Sequence, residues 1–271
     1  MPIFAKLAYA AGVDLPSMLF LRFALAGLTM AAVMQWRRLR WPRGGNLLAL
    51  MAMGGVGYLG QSFCYFAALQ HATAGLTALL LYLYPAIVTV LSALMARRRL
   101  SLLRILAVAA ALLGTGLAVG GSLAGSPLGI LLGVGAALIY SVYILVGERV
   151  TPVAGAIPSA TVIMLSAALG YGLIVLWRGP AFPTSPAAWA AVGGIVVLST
   201  VVAMITFFAG MARLGAADAA TLSTLEPVVT VVLAAPVLAE AVGGWQIAGG
   251  AIILAAVVVL ARAGESTKAP G

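Results

Sequence analysis

Apolar runs long enough to cross a bilayer follow one another almost from end to end of this chain, joined by short connections. At about 20 residues per crossing, spans fall near 2–12, 16–36, 46–69, 74–96, 101–121, 127–148, 158–178, 187–212, 218–240 and 245–262. The pattern predicts an all-α polytopic membrane protein, a bundle of ten helices whose first is incomplete. Composition agrees. Of the 271 residues 63% are hydrophobic and 8% charged, against about 25% charged in a soluble domain. Glycines inside spans, such as Gly54, Gly55, Gly57 and Gly60 or Gly129, Gly133 and Gly135, allow close helix approach.

Arginine sets the expected orientation. Arg37, Arg38, Arg40 and Arg43 follow the second span, and Arg97, Arg98, Arg99 and Arg104 follow the fourth. Arg149, Arg213 and Arg262 also close even-numbered spans, while loops on the other side hold essentially Arg178 alone. The positive-inside bias places the ends of even-numbered spans, and the C-terminus, in the cytoplasm. The net charge of +9 is therefore a topology signal and not a nucleic-acid footprint. Residues 2–12 give about 16–18 Å of helix, roughly half the bilayer core. The expectation is a mis-assigned or truncated start, with a genuine half-span as the alternative.

One span carries an acid. Residues 217–240, ADAATLSTLEPVVTVVLAAPVLAE, hold Glu226 and Pro227 near their middle. A carboxylate in the membrane is costly and marks a site by default, and Pro227 removes a backbone donor and should kink the helix. The same phrase occurs earlier with Tyr84-Pro85 in place of Glu226-Pro227. A shift of 142 residues lays CYFAALQHATAGLTALLLYLYPAIVTVL over TFFAGMARLGAADAATLSTLEPVVTVVL without a gap. Equivalent positions are five spans apart, an odd number, so the second half must enter the membrane upside down. The reading is two inverted five-helix repeats, 1–121 and 127–262, with 263–271 a flexible cytoplasmic tail. Pro85 and Pro227 are the candidate gating positions.

Candidate binding residues follow from helical spacing. Ser223, Glu226 and Thr230 share a face of the ninth span, and Thr77 and Tyr84 hold the matching face of the fourth. Tyr82 is expected to point elsewhere. Tyr58, Gln61 and Tyr65 form a stripe on the third span, and Tyr140 and Tyr143 on the sixth. Polar-tipped aromatics can stack on and hydrogen-bond a small organic solute, though packing alone also explains any one of them. Ser199 and Thr206 make a weaker polar face on the eighth span, because such hydroxyls often bond their own helix. Lys6 can attract a carboxylate. Arg22 is expected to snorkel outward and pair with Asp14. One cysteine, Cys64, and one histidine, His71, argue against a metal centre or cofactor.

The phrases ALQHATAGLTALLLYLYPAIVTVLSALMARRRLSLLRILAVAAALLGTGLAV and ARLGAADAATLSTLEPVVTVVLAAPVLAEAVGGWQIAGGAIILAAVVVLA each resemble the EamA domain of the drug/metabolite transporter superfamily. PSMLFLRFALAGL is similar to that family's second span. The resemblance implies ten helices in a five-plus-five inverted arrangement, with a central cavity lined by the first four helices of each half and the fifth and tenth outside. It implies an exporter of amino acids or related metabolites, driven by protons or by the substrate gradient. The expected setting is the bacterial cytoplasmic (inner) membrane, with a small-molecule substrate and the lipid bilayer as partners, no nucleic acid, and oligomeric state open. Two departures stand out: the short first helix, and the Arg97–Arg99 run where an acid is usual. Alternatives are a non-transporting membrane assembly subunit and a membrane-embedded lipid enzyme, the latter short of catalytic groups. The chain has no phosphate loop of its own to drive transport.

Overall fold

Four helix starts are written in a short polar signal. Asp14, Thr73, Ser126 and Ser185 sit at N-caps, where their side chains accept from the backbone N–H of Ser17, Leu76, Gly129 and Ala188 at 3.1–3.2 Å. A proline follows within two residues at three of the four, its fixed φ suiting the first turn and its missing N–H costing nothing there. Gly155 and Gly179, at φ +85° and +89°, end the helices before them.

A computed structural model of the chain describes residues 1–97, 100–120, 125–203, 206 and 225–265. Its helices are α1 (Pro2–Ala10), α2 (Leu15–Trp36), α3 (Gly44–Ala52), α4 (Leu59–His71), α5 (Ala74–Leu81), α6 (Tyr84–Met95), α7 (Leu102–Gly120), α8 (Pro127–Ala154), α9 (Ala156–Arg178), α10 (Pro186–Val196), α11 (Leu225–Leu238) and α12 (Gly244–Glu265). π-helical turns, Met53–Tyr58 and Val197–Val202, join α3 to α4 and extend α10. Among the described residues seven helical segments are long and apolar enough to cross a membrane, and Pro186–Val202 and Leu225–Leu238 are shorter apolar helices. All five tryptophans are exposed at or near helix ends, Trp36 and Trp41 at one end of the bundle and Trp177, Trp189 and Trp245 at the other. They make a belt at each interface.

The packing states the symmetry. Spans of the first half rest mainly on spans of the second: α2 on α9, α4 on α8, α1 on α10, α5 on α11 and α7 on α12. Exchanging the halves turns the second–seventh, fourth–ninth and fifth–tenth span contacts into themselves. It turns the third–sixth contact into the first–eighth. That is the contact map of two inverted repeats related by a two-fold axis. Even the π-helical turns obey it: shifting Met53–Tyr58 by the repeat spacing overlaps Val197–Val202 on the equivalent eighth span.

Small residues make the contacts possible. A Cβ on Gly54 would run into the Ile163 backbone, and one on Gly249 into the Gly114 carbonyl. A Cβ on Gly129 would come within 2.8 Å of the His71 carbonyl. The fourth span breaks as expected. α5 stops at Leu81, Leu83 N–H turns back to the Leu80 carbonyl at 3.2 Å, and α6 begins at Tyr84 with Pro85. Pro227 lies in the first turn of α11, and the residues before Leu225 are outside the described part.

Gly54→Val should therefore overpack the seam between the Met53–Tyr58 turn and α9 and cost about 1–3 kcal/mol. Gly116→Ala, with open space around its Cβ, should stay within about 0.5 kcal/mol. Thermal unfolding of the two purified variants in one detergent makes the comparison.

Candidate functional site

Aromatic rings from both repeats form a ladder inside the bundle, and its last two come from the break in the fourth span. Tyr171 of α9 stacks on Phe23 of α2 at 5.8 Å between centroids, and Phe23 meets Tyr58 edge-on at 5.3 Å. Tyr58 stacks on Tyr143 at 5.5 Å, and Tyr143 on Tyr140 at 5.8 Å. Tyr140 meets Tyr84 edge-on at 4.9 Å, and Tyr84 lies 6.0 Å from Tyr82. Tyr82 O–H then donates to a carboxylate oxygen of Glu226 at 3.4 Å. Seven rings from both repeats thus run in series to the intramembrane acid. Offset and edge-on contacts of this kind add roughly 0.5–1.5 kcal/mol per pair beyond burial.

The ladder is rich in unused polar groups. Among the described residues the hydroxyls of Tyr58, Tyr65, Tyr84, Tyr140 and Tyr143 and the amide of Gln61 make no hydrogen bond. Gln61 is 6% exposed and Tyr65 2%. Tyr171 differs: its O–H donates to the Leu59 carbonyl at 2.8 Å and lies 3.0 Å from the Ser62 hydroxyl, which pins α9 to α4.

A cation faces the same space. Arg22 is buried, 5% exposed. Its Nε donates to the Thr200 hydroxyl at 3.3 Å, and its guanidinium lies 4.9 Å from the Phe23 ring and 5.4 Å from the Phe66 ring. Thr200 is itself set by the π-helical turn, donating to the Ile195 carbonyl five residues back at 2.9 Å. Tyr65 is within electrostatic reach of both Arg22 and Glu226, yet the two charges form no direct ion pair.

Two expectations are corrected. Arg22 does not snorkel to Asp14; Asp14 caps α2 through Ser17 N–H, and the guanidinium finds its partners across the bundle. Tyr82 does not point elsewhere; the turn at Tyr82–Leu83 rotates it toward Glu226. Lys6 lies apart from the ladder, its Nζ 3.1 Å from Glu240. The two Glu240 oxygens each lie 2.9 Å from Ala74 N–H, at the first turn of α5. Lys6 and Tyr9 also line an outer pocket of about 550 Å³. Thr77 is fully buried and donates to the Thr73 carbonyl at 2.9 Å, and Thr206 donates to the Val202 carbonyl at 2.9 Å, so each bonds its own helix. Ser199 lies on the π-helical turn beside Thr200. Pro85 opens α6 and Pro227 is buried. Ser223 lies outside the described residues. Phe23, Tyr171 and the π-helical turns had no signal beyond ordinary apolar residues. No group of three or more His, Cys, Asp or Glu side chains able to hold a metal is found among the described residues.

The Lys6–Glu240–Ala74 junction joins the two repeats at one end of the bundle. Glu240→Ala should cost about 1–3 kcal/mol by leaving Ala74 N–H without its acceptor and Lys6 unpaired, and Lys6→Met should cost less. Chemical or thermal unfolding of both variants tests the order.

Among curated proteins none matches this chain. A solved structure described only as "Crystal structure of protein" superposes with a TM-score of 0.66 at 24% identity, the match covering 98% of this chain and 95% of that one; the likeness speaks for the fold. The model of the EamA-like transporter family matches residues 1–120 and again 127–262. With two copies of that domain spanning almost its whole length, the chain belongs to the EamA-like transporter family.

Proposed function

We propose that the chain is a secondary transporter exporting amino acids or closely related zwitterionic metabolites, its two repeats alternating access to the space along the aromatic ladder. The observation that carries this reading is the pairing of unlike charges that do not neutralise each other. Glu226 ends the ladder and Arg22 lies over Phe23, with Tyr65 in reach of both. A carboxylate and a guanidinium held apart in a low-dielectric interior would each gain from a counter-charge on a solute. A zwitterion brings both, its ammonium for Glu226 and its carboxylate for Arg22, where the planar guanidinium fits two oxygens.

The unpartnered phenols and the Gln61 amide supply hydrogen bonds and ring faces for the remainder of the solute. Pro85 and Pro227 are the gating points in this scheme, since each sits where a span leaves regular helix or has lost a backbone donor. The Tyr82–Glu226 bond joins the break in the fourth span to the first turn of α11, which carries Pro227. Export, rather than uptake, rests on the family likeness, as does the bacterial cytoplasmic membrane; the arginine-bearing loops and the C-terminus are placed in the cytoplasm by the positive-inside bias.

Flux of labelled amino acids from proteoliposomes containing the full chain tests the reading. Loss of a charge-assisted contact should cut flux roughly 10- to 100-fold in Glu226→Gln and in Arg22→Gln, with the pH dependence of flux changed in Glu226→Gln. Unaltered rates and pH profile in both variants, or no flux of any amino acid by well-folded protein, would reject it. The latter would favour a non-transporting subunit.

A further inference from the structure

The two π-helical turns, one in each repeat, converge on neighbouring residues of α2. Tyr58 and Thr200 stand 142 positions apart, which is the repeat spacing, and each lies on its own turn. Tyr58 packs edge-on against Phe23 at 5.3 Å, and the Thr200 hydroxyl accepts the Nε–H of Arg22 at 3.3 Å. The first contact belongs to the ladder. The second does not, and Thr200 is buried.

The polarity of that contact is fixed by the turn. A threonine hydroxyl has one proton to give. In a regular helix it goes to the carbonyl four residues back, as it does for Thr77, Thr89 and Thr206. The wider π-helical turn brings the Ile195 carbonyl, five residues back, within 2.9 Å, and the Thr200 proton goes there. Toward Arg22 the oxygen is an acceptor only. The guanidinium has no other hydrogen bond, so both Nη atoms are unpartnered. Neither is occluded, since the one occluded, unpartnered side-chain atom among the described residues is Gln246 Oε1. The Phe23 and Phe66 rings, 4.9 and 5.4 Å away, hold the cation without supplying a counter-charge.

We infer that Thr200 is the positioning residue that aims Arg22, and that through it the site selects solutes with a free carboxylate over their carboxamides and decarboxylated amines. This rests on the reading of Arg22 as the carboxylate partner of a zwitterionic solute. A guanidinium can grip a carboxylate side-on, through Nε and one Nη, or end-on, through both Nη atoms. Thr200 occupies Nε, so the end-on pair alone is left. Two parallel donors match the two oxygens of a carboxylate. A carboxamide offers one oxygen and sets its own N–H donors against the second Nη, and an amine offers no acceptor pair at all. Without the Thr200 hydroxyl the guanidinium is free to turn and offer Nε as well, so both its grip and its selectivity fall.

Efflux from proteoliposomes holding the full chain, measured with each of the twenty labelled protein amino acids, identifies the best-carried one. Its unlabelled acid, carboxamide and decarboxylated amine then serve as competitors. In the wild type the acid should compete about tenfold better than the carboxamide or the amine. Thr200→Val, which keeps the shape and drops the acceptor, should raise the apparent KM about tenfold and leave the maximal rate near that of the wild type. It should also bring acid and carboxamide to within about threefold of each other. Thr200→Ala should do the same and is read alone where Thr200→Val does not fold, and Thr200→Ser should restore the selectivity. A threonine that only supports the helix would change the maximal rate or the yield of folded protein and leave the acid-to-carboxamide ratio as it was. An unchanged ratio in folded Thr200→Val or Thr200→Ala, or a loss that Thr200→Ser does not repair, overturns the role of Thr200 and leaves the zwitterion reading standing. No efflux of any amino acid by the folded wild type overturns that reading and this inference with it.

Discussion

Helices in a bilayer gain nothing from burying leucine against leucine, because lipid tails are equally apolar. Association must come from close packing and from the few polar contacts that lipid cannot match. This chain meets the demand by letting backbones touch. Gly54 against Ile163, Gly249 against Gly114 and Gly129 against His71 leave no room for a Cβ. Each of these contacts joins one repeat to the other, so the glycines do more than tighten the bundle: they fix the pairing of the two halves. The aromatic ladder depends on them, because rings on α2, α8 and α9 meet those on the third and fourth spans only when the backbones approach this closely.

Polar chemistry is spent sparingly and mostly between repeats. Hydroxyls such as Thr77, Thr89 and Thr115 bond the carbonyl four residues back and present little to their surroundings. The charged groups inside the bundle are instead reached from across it. Lys6 meets Glu240, Arg22 meets Thr200, and Tyr82 meets Glu226, each contact spanning the two halves. The irregular backbone falls in the same region. The π-helical turns place Tyr58 and Thr200, and the Tyr82–Leu83 turn places the ladder's last rings. Such turns are tolerated at membrane depth where protein or a cavity covers them, and π-helical turns cluster at functional sites.

Much of this was legible beforehand, for identifiable reasons. The gapless register around Pro85 and Pro227 carried the inverted repeat, since a proline within two long matching segments leaves little freedom of alignment. Tyr58, Tyr140 and Tyr143 fell on shared faces because the third and sixth spans are helical near them. Helical spacing turns Tyr82 away because it assumes an unbroken helix, whereas the turn at Leu83 resets the phase one residue after it. Nearness in sequence favours Asp14 as the partner of Arg22, whereas Thr200 is 178 positions away and becomes a neighbour only through folding. The π-helical turns had no local signature. MGGVGY and VLSTVV read as ordinary small and β-branched membrane sequence, and only the contact between helices sets their pitch.

The two-fold relation also sharpens what is asymmetric. Tyr84 and Glu226 occupy equivalent positions before equivalent prolines, yet they do not bond each other. Glu226 takes its hydrogen bond from Tyr82, two residues earlier on the opposite repeat, while Tyr84 turns to Tyr140. A symmetric pair of acids here would repel across the axis, and a symmetric pair of phenols would leave no charge to respond to a solute. One acid held by one phenol avoids both outcomes. It leaves one carboxylate tied to the break in the fourth span by a bond long enough, at 3.4 Å, to be exchanged for another donor. On the proposed reading a solute bearing an ammonium would compete for that carboxylate, so its binding would loosen the contact between Glu226 and the break in the fourth span.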